Sequence, residues 1–323
     1  MAEQQEAVYK PATKIVVALS FEGFVNDGVT ECGLTASNAW NTVEPGRYLF
    51  GRLVEAEEVG TVAETREMQA FHRLRPVVEV AEDYLTVDRV IVNNPGLVDA
   101  VLASTTEGTV APLVEKFEAD KAATKELRAA FKKAFYDERT RAQGRNYQAW
   151  LATQSPFPDA VDELRLMRDT WTTEQEGDKY FVVSGLLPVF ATSKDEKSTW
   201  ELCTLYGSQG RLRQEDVGEG IQCVITKGKI IGKERTTDKI GQLRMFAKQE
   251  DVPYSQVWRV NDRIDPKQQA DLARAGFRYQ FFVEGGYAFP HEARKAREDP
   301  QLVVVPRKGL AGALGSYARN LNF

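Results

Sequence analysis

The sequence predicts an α/β protein in which a core of mainly parallel strands, with helices on both faces, carries an inserted helical domain. A short β-branched run at 15–19 is typical of a buried strand. Beyond residue 155, short apolar runs alternate with segments of helical periodicity, a pattern that favours parallel strands joined by helices. Between these parts lie about 130 residues of mainly helical pattern, which is too long for a loop inside a compact domain.

The elements can be placed in order along the chain. Helical spacing follows the first strand at 30–56, and a strongly helical pattern occupies 110–143. Near residue 155 a proline-bounded turn, PFPDAVDEL, leads into a helix. The remaining predicted elements are strands at 180–183 and 189–191, a helix after 193, an apolar run at 221–225, a helix at 238–248, a strand at 256–260, a helix at 266–275 and a strand at 279–283.

This order predicts a division of the chain into parts. They are an N-terminal arm at 1–13, an α/β core at 14–28 and 154–290, a helical cap insertion at 29–153 and a C-terminal extension at 291–323. The last residues, PRKGLAGALGSYARNLNF, carry Arg307, Lys308 and Arg319 and no acidic residue. Both a loosely packed tail and a docking arm fit this segment.

The composition argues against several classes of protein. Of the 323 residues, 42% are hydrophobic and 28% are charged, and the net charge of -5 gives no general attraction for nucleic acid. No apolar run approaches the roughly 20 residues that span a bilayer, so we expect no membrane span. The three cysteines lie far apart and indicate neither a zinc site nor a disulfide framework. The amino-terminal sequence lacks the apolar core of a secretory signal, and we expect an intracellular protein.

Polar side chains follow several predicted strands at the point where each strand ends. In an open α/β sheet, ligands bind beyond the carboxyl ends of the strands, so these side chains are candidates for one site. The candidates are Ser20 and Glu22 after the first strand, Thr192 after PVFA, Lys239 at the start of a predicted helix, and Asp262 with Asp265 after VWRV.

The segments that carry these residues resemble the haloacid dehalogenase-like (HAD) superfamily, most of whose members are phosphatases. KIVVALSFEGFVNDG is similar to the first motif, a strand followed by DxDG, and PVFATSK is similar to the second, an apolar strand ending in Thr or Ser. Lys239 stands where the superfamily has its lysine, and VNDRIDPKQQADLARAGF is similar to the fourth motif. YQAWLATQSPFPDAVDEL looks like the return from a helical cap to the core. The resemblance covers residues 14–290 and implies a Rossmann-like HAD core with a cap inserted after the first motif.

The resemblance also implies a reaction. In these enzymes the first Asp of DxDG is the nucleophile and becomes a phospho-aspartate, and the second Asp protonates the leaving group and later activates water. Mg²⁺ is held by the first Asp, a backbone carbonyl and the carboxylates of the fourth motif. The Lys and the Thr or Ser orient the phosphate. A carboxylate suits these tasks because it is ionised at neutral pH and ligates a hard cation.

This chain departs from that pattern at the nucleophile. Ser20 stands in place of the first Asp, and a serine hydroxyl is a weak nucleophile without an adjacent base. Glu22 keeps a carboxyl group at the acid/base position but adds a methylene. In the fourth motif Asn261 replaces the usual Gly and Pro266 enters the loop. We therefore predict that the chain is not an enzyme, that its motif residues are vestigial, and that it holds no cofactor and no metal, with Asp262 and Asp265 the candidate ligands if Mg²⁺ binds at all.

The leading functional hypothesis is a non-catalytic structural or interaction subunit of a larger assembly of proteins. The chain also resembles the associated subunits of the peripheral stalk of mitochondrial ATP synthase in chlorophycean green algae, which implies a mitochondrial location; the alternative location is the cytoplasm. Two further hypotheses stay open. One is a divergent Mg²⁺-dependent phosphatase that uses Glu22 or Asp27 in a new role. The other is a phosphometabolite-binding protein that holds phosphate at Thr192 and Lys239 without cleaving it.

Overall fold

A computed structural model of the protein describes residues 8–104, 110–218, 223–236, 238–263, 265–284, 286–288 and 290–323. The strands are β1 (Lys14–Ser20), β2 (Asn26–Asp27), β3 (Ser155–Pro156), β4 (Thr172–Glu176), β5 (Lys179–Ala191), β6 (Ile230–Ile231), β7 (Val257–Asn261), β8 (Gln280–Glu284) and β9 (Leu302–Pro306). The helices are α1 (Val29–Val43), α2 (Arg66–Leu74), α3 (Asp83–Asn93), α4 (Pro95–Ala103), α5 (Ala111–Ala123), α6 (Lys125–Arg145), α7 (Tyr147–Ala152), α8 (Pro158–Arg168), α9 (Glu196–Ser208), α10 (Lys239–Glu250), α11 (Pro266–Arg274), α12 (Pro290–Glu298) and α13 (Leu310–Asn320).

The chain divides into two compact units. Unit 1 consists of Met1–Asn26 and Pro156–Phe323, and unit 2 consists of Asp27–Ser155. The chain passes from one unit to the other at β2 and β3, which pair as a separate two-stranded sheet. Within the described residues, no helix has both the length and the apolar character needed to cross a bilayer.

Unit 1 contains a seven-stranded sheet in the order β4-β5-β1-β7-β8-β9, with β6 also paired to β5. The pairs β1–β5, β1–β7, β5–β6, β7–β8 and β8–β9 are parallel, and β4–β5 is antiparallel. The prediction of a mainly parallel α/β core is therefore confirmed. Parallel strands place their carboxyl ends at one edge of the sheet, which positions the candidate site there.

β1 lies in the interior of this sheet, and its sequence, KIVVALS, is apolar from Ile15 to Leu19. Its residues Ile15 to Leu19 are completely buried, as expected for a strand that is covered on both faces. The register places Ser20 beside Ala191 of β5, and Ala18 beside Arg259 of β7.

Helices cover both faces of the sheet. Val16 and Ala18 of β1 pack in one buried cluster with Leu243 and Phe246 of α10 and with Leu272 of α11. Successive residues of a strand point to opposite faces. Trp258 of β7, next to Val257 of that cluster, accordingly makes an edge contact with Tyr317 of α13, with ring centroids 5.7 Å apart.

The strand predictions were incomplete at β5. The runs at 180–183 and 189–191 are parts of one continuous strand that contains Pro188. A proline interrupts a strand ladder because it has no N–H to donate. On the edge of β5 opposite β1, β4 pairs with β5 only up to Ser184, and β6 pairs only with Phe190 and Ala191. Among the described residues, Pro188 therefore has no paired strand on that edge. The proline is tolerated for this reason.

The C-terminal residues form α13, which packs against α8 and β9. The buried side chain of Glu163 in α8 accepts hydrogen bonds from the N–H groups of Gly309 (2.5 Å) and Ala311 (2.7 Å) at the start of α13. The carbonyl of Phe323 accepts hydrogen bonds from the Ala12 N–H (3.1 Å) and the Tyr9 hydroxyl (3.2 Å). Of the two alternatives left open for the terminal segment, these contacts match the docked one.

Unit 2 is built from α1 to α7, so the described part of the insertion is helical as predicted. Its core contains a stack of aromatic rings in which Tyr84 lies between Phe71 and Phe135, with centroid distances of 5.5 and 5.4 Å. An ion pair joins the half-buried Arg139 of α6 to the buried Glu31 of α1 at 2.7 Å. Removing Arg139 from such a pair is costly, because it leaves the buried charge of Glu31 without its partner.

Candidate functional site

The carboxyl edge of the sheet in unit 1 brings several of the predicted residues together. Ser20 ends β1, Thr192 follows β5, and Asp262 follows β7. Lys239 is the first residue of α10, and its ammonium group donates to the carbonyl of Ala191 at 3.4 Å. Because Ala191 is the sheet neighbour of Ser20, the lysine lies beside the end of β1.

The hydroxyl of Ser20 is held by two neighbours on β7. Ser20 Oγ donates to Asn261 Oδ1 at 2.9 Å and accepts from Arg259 Nη2 at 2.9 Å. The side chain is 8% exposed. An amide oxygen accepts the serine proton but is not a base at neutral pH, so Asn261 does not activate Ser20 as a nucleophile.

Glu22 is fixed at the same edge by polar neighbours. Its carboxylate accepts from Asn26 Nδ2 at 3.2 and 3.3 Å and forms an ion pair with Lys194 at 3.1 Å. Asn26 is in turn held by the hydroxyls of Tyr206 and Tyr287, which donate to its side-chain and backbone oxygens respectively. The carboxylate of Glu22 is partly exposed, so water or a ligand can reach it.

Thr192 is buried, and its Oγ1 accepts from the N–H of Lys194 at 3.0 Å. Its backbone carbonyl accepts from Gln242 of α10 at 2.9 Å, which ties this strand end to the helix that carries Lys239. Burial of the ammonium group, together with the nearby charge of Arg259, lowers the pKa of Lys239 to about 7, although Asp262 opposes the shift. Lys239 therefore gains a proton readily when an anion binds near it.

Asp262 lies under a close approach of two loops. Its Oδ2 accepts from the N–H of Tyr287 at 3.1 Å, and the residue is 4% exposed. Gly23 has a φ of +81°, and a Cβ on it would lie 2.1 Å from Asp262 Oδ2. A Cβ on Gly286 would lie 2.4 Å from Asp262 Cβ. Glycine is required at both positions to let the loops close over this carboxylate.

Two other predicted carboxylates have different roles. Asp265 is exposed and accepts from the N–H of Gln268 at 3.0 Å, which caps α11. Among the described residues, it makes no hydrogen bond or ion pair with the other predicted site residues. Asp27 belongs to unit 2, where it accepts from the N–H of Val29 at 3.1 Å.

Arg259, which none of the motifs singles out, lies in the centre of the site. The residue is 3% exposed, and besides Ser20 it donates to the carbonyl of Ala18 and to Asn261 Oδ1, both at 3.4 Å. Burial lowers the pKa of Arg259 to about 10, with Asp262 opposing the shift, so the guanidinium remains charged at neutral pH. The sequence marks this residue in one way: VWRV places a charged residue within an otherwise apolar strand. Arginine is almost never fully buried unless it is paired, so an arginine at such a position indicates a special environment.

The resemblance implies a Mg²⁺ site, and the residues present do not fit one. Within the described part of the chain, no group of three or more His, Cys, Asp or Glu side chains is arranged to hold a metal. A Mg²⁺ bound to Ser20 Oγ at the usual ~2.1 Å would lie within ~5 Å of Arg259 Nη2. At an effective dielectric constant of ~20, a divalent and a univalent cation at that distance repel each other by about 7 kcal/mol. Asp262, whose charge acts on Arg259, would offset part of this repulsion.

No protein-family model and no curated protein matches the chain, whereas several solved structures do. One is a predicted phosphoglycolate phosphatase from Haemophilus somnus 129pt, with 11% identity and a TM-score of 0.48, covering 93% of this chain and 97% of that one. A haloacid dehalogenase-like family hydrolase from Streptococcus pneumoniae has 8% identity and a TM-score of 0.43, covering 93% and 98%. A predicted phosphatase from Clostridium acetobutylicum has 11% identity and a TM-score of 0.43, covering 95% and 98%. Each of these matches extends over more than nine tenths of both chains.

The prediction that the chain is not an enzyme is contradicted by this comparison, because all three structures are named as phosphatases or hydrolases, and we withdraw it. The prediction gave too much weight to one position. The absence of a carboxylate at position 20 removes one route to phosphate-ester hydrolysis, the route through a phospho-aspartate. The same edge still carries a fixed carboxylate at Glu22 and a cation at Lys239, and Arg259 adds a second, buried cation.

Proposed function

We propose that unit 1 binds the phosphate group of a phosphorylated small molecule at the carboxyl edge of its sheet, and that the chain is a divergent phosphatase. The observation that carries the proposal is the charge of the site. Two cations, Arg259 and Lys239, lie beside one carboxylate, Asp262, and neither cation forms a direct ion pair among the described residues. A site with excess buried positive charge favours an anion.

The neighbouring groups suit a phosphate monoester in particular. The guanidinium of Arg259 can donate two hydrogen bonds to a phosphate, and the ammonium of Lys239 supplies a point charge. Glu22 supplies a carboxylate for proton transfer at the same edge, and its partial exposure leaves it open to water. Because Ser20 has no base beside it, we infer that water is the nucleophile. Glu22 accepts a proton from the water as its oxygen bonds to phosphorus, the ester P–O bond breaks, and the leaving oxygen takes a proton from solvent.

The proposal is tested by titrating the purified full-length chain with inorganic phosphate in a calorimeter and by assaying hydrolysis of p-nitrophenyl phosphate. We expect Lys239→Met to weaken phosphate binding and Glu22→Gln to abolish turnover without weakening binding. Lys133→Met is the matched control, because Lys133 is exposed on α6 of unit 2 and should change neither measurement. Neither binding nor turnover in the unmodified chain would contradict the proposal.

A second candidate function is membership of a larger protein assembly. The observation that favours it is a group of exposed apolar side chains at the start of β5: Tyr180, Phe181 and Val183. The peripheral stalk of mitochondrial ATP synthase, and a mitochondrial location, stay predictions from the resemblance. The deciding measurement is the native mass in a gentle extract with identification of the co-migrating chains, and a strictly monomeric pool would remove this candidate.

A further inference from the structure

Arg259 is a buried cation whose direct partners are all neutral. Its Nη atoms donate to the Ser20 hydroxyl, the Ala18 carbonyl and the Asn261 amide oxygen. Its Nε is buried and has no hydrogen-bond partner within the described residues. A buried charge is normally matched by a charged partner or a ligand, because removing it from water is costly.

Asp262 is a carboxylate whose charge acts on this cation, and other contacts hold it in place. Its Oδ2 accepts from the N–H of Tyr287, and Gly23 and Gly286 close over it without side chains. The negative charge of Asp262 thus acts on Arg259 by electrostatic attraction at a distance and not through a hydrogen bond. It leaves the Nε–H of the guanidinium without an acceptor among the described residues.

The position of Arg259 beside Ser20 makes it an alternative to a metal ion. In a metal-dependent site a divalent cation draws a phosphate group onto the end of the first strand, and carboxylates hold that cation. Here position 20 has the hydroxyl of Ser20 where a metal-dependent site would have a carboxylate to hold the divalent cation. That hydroxyl already accepts a hydrogen bond from the guanidinium of Arg259. A guanidinium supplies positive charge and paired donors to phosphate without ligands of its own.

We propose that Arg259 is the resident cation of this site, that it takes the place of a divalent metal, and that the site binds phosphate groups without Mg²⁺. This inference rests on the proposed function, because it concerns the same ligand. Lys239 contacts the phosphate from α10, Arg259 contacts it from β7, and Asp262 serves as a fixed counter-charge.

The test is calorimetric titration of the full-length chain with inorganic phosphate, once in EDTA and once in excess MgCl₂. We expect the two dissociation constants to agree within about twofold. Arg259→Gln should weaken phosphate binding about tenfold or more in EDTA. Arg259→Lys keeps a charge but loses the planar fork, so its dissociation constant should lie between those of the unmodified chain and Arg259→Gln. Arg274→Gln, on the exposed side of α11, is the matched control and should leave binding unchanged.

Each outcome separates the two proposals. Binding that appears only with Mg²⁺ overturns this inference and leaves the proposed function intact. Absence of binding under both conditions overturns the proposed function and this inference with it. If Arg259→Gln does not fold, the comparison of EDTA with Mg²⁺ in the unmodified chain still decides, since it needs no variant.

Discussion

At the scale of single residues, Ser20 and Arg259 determine the character of the site together. The hydroxyl in place of a carboxylate leaves Arg259 without an ion-pair partner at 2.9 Å, and this is the source of the excess positive charge. The two positions are 239 residues apart, and the pairing of β7 with β1 makes them neighbours. The identity of each residue is visible in the sequence, whereas their contact is not.

A carboxylate at position 20 should therefore inactivate the anion site. In Ser20→Asp the new carboxylate would form a buried ion pair with Arg259 and occupy the donors that we assign to phosphate. We expect phosphate affinity, measured by calorimetry, to fall about tenfold or more. Ser20→Asn, which is close in shape but neutral, is the control and should retain most of the binding. Mg²⁺-dependent turnover by Ser20→Asp with Arg259 intact would contradict our account of the site.

The protonation of Lys239 should make anion binding depend on pH. Because burial and Arg259 lower the pKa of Lys239 to about 7, with Asp262 opposing, the lysine is charged below that pH and neutral above it. Only the charged form attracts an anion, so affinity should fall as the pH rises through 7, by up to about tenfold per pH unit. Sulfate is the suitable probe because its own charge does not change in this range. Lys239→Met should bind more weakly with little pH dependence, and a flat profile for the unmodified chain would contradict the prediction.

At the scale of elements, α3 in unit 2 carries two buried aspartates with opposite behaviour. Asp88 is completely buried, and neither of its oxygens has a hydrogen-bond partner among the described residues, so desolvation raises its pKa well above the usual value. Burial also acts on Asp83, but hydrogen bonds from the N–H groups of Glu79 and Val80 and from Arg128 lower its pKa. One helix thus offers a matched pair for testing how burial and pairing compete.

We expect Asp88→Asn to raise the free energy of unfolding at pH 8 by about 1–2 kcal/mol and to have little effect near pH 4. The folded chain binds the Asp88 proton more tightly than the unfolded chain, so stability falls as the pH rises from the unfolded pKa toward the folded one. Asp83→Asn should act in the opposite sense. The contribution of Asp83 is present above its unfolded pKa and disappears as the pH falls through its lowered folded pKa. Urea unfolding at several pH values measures both. Equal effects of Asp88→Asn at pH 4 and pH 8, or an effect of Asp83→Asn that persists unchanged well below the usual aspartate pKa of ~3.9, would contradict the assignment.

A second prediction at this scale concerns the attachment of α13. Glu163 uses both carboxylate oxygens to accept N–H groups at the start of that helix, whereas a glutamine offers one acceptor and places an NH₂ against the other donor. Glu163→Gln should therefore lower the free energy of unfolding by about 1–2 kcal/mol and speed hydrogen exchange across 310–320. Asp162→Asn, which removes an exposed i,i+3 ion pair with Arg165, is the control and should cost less than ~0.5 kcal/mol. Unchanged exchange in α13 would show that Glu163 does not hold it.

The elements that the sequence could predict are those whose apolar pattern is set by burial. β1, α10, β7, α11 and β8 lie within one or two residues of their predicted positions because each buries a continuous face. β4 was missed because its sequence, TTEQE, is polar, as suits an exposed edge strand. α13 was missed because small residues and glycines predict a loop when the packing partner is unknown, and that partner, α8, lies about 150 residues earlier in the chain.

At the scale of the whole molecule, the fold class followed from the sequence, whereas the chemistry of the site depended on tertiary contacts. Short buried strands alternating with helices were enough to predict a parallel sheet and the edge at which a ligand binds. Motif spacing placed Ser20, Glu22, Thr192, Lys239 and Asp262 at that edge. It could not give Arg259 a role, because a buried arginine acquires its function from the strand beside it.

The most direct test of the central claim, that Arg259 and Lys239 form a phosphate site that needs no metal, is a crystal structure with a heavy-atom phosphate analogue. Crystals grown in EDTA would be soaked with tungstate, and the anomalous signal of tungsten would locate the anion. We predict a peak beside the guanidinium of Arg259 and the ammonium of Lys239, next to Ser20. A peak elsewhere, or a manganese peak between Ser20 and Asp262 after a separate soak with Mn²⁺, would contradict the claim.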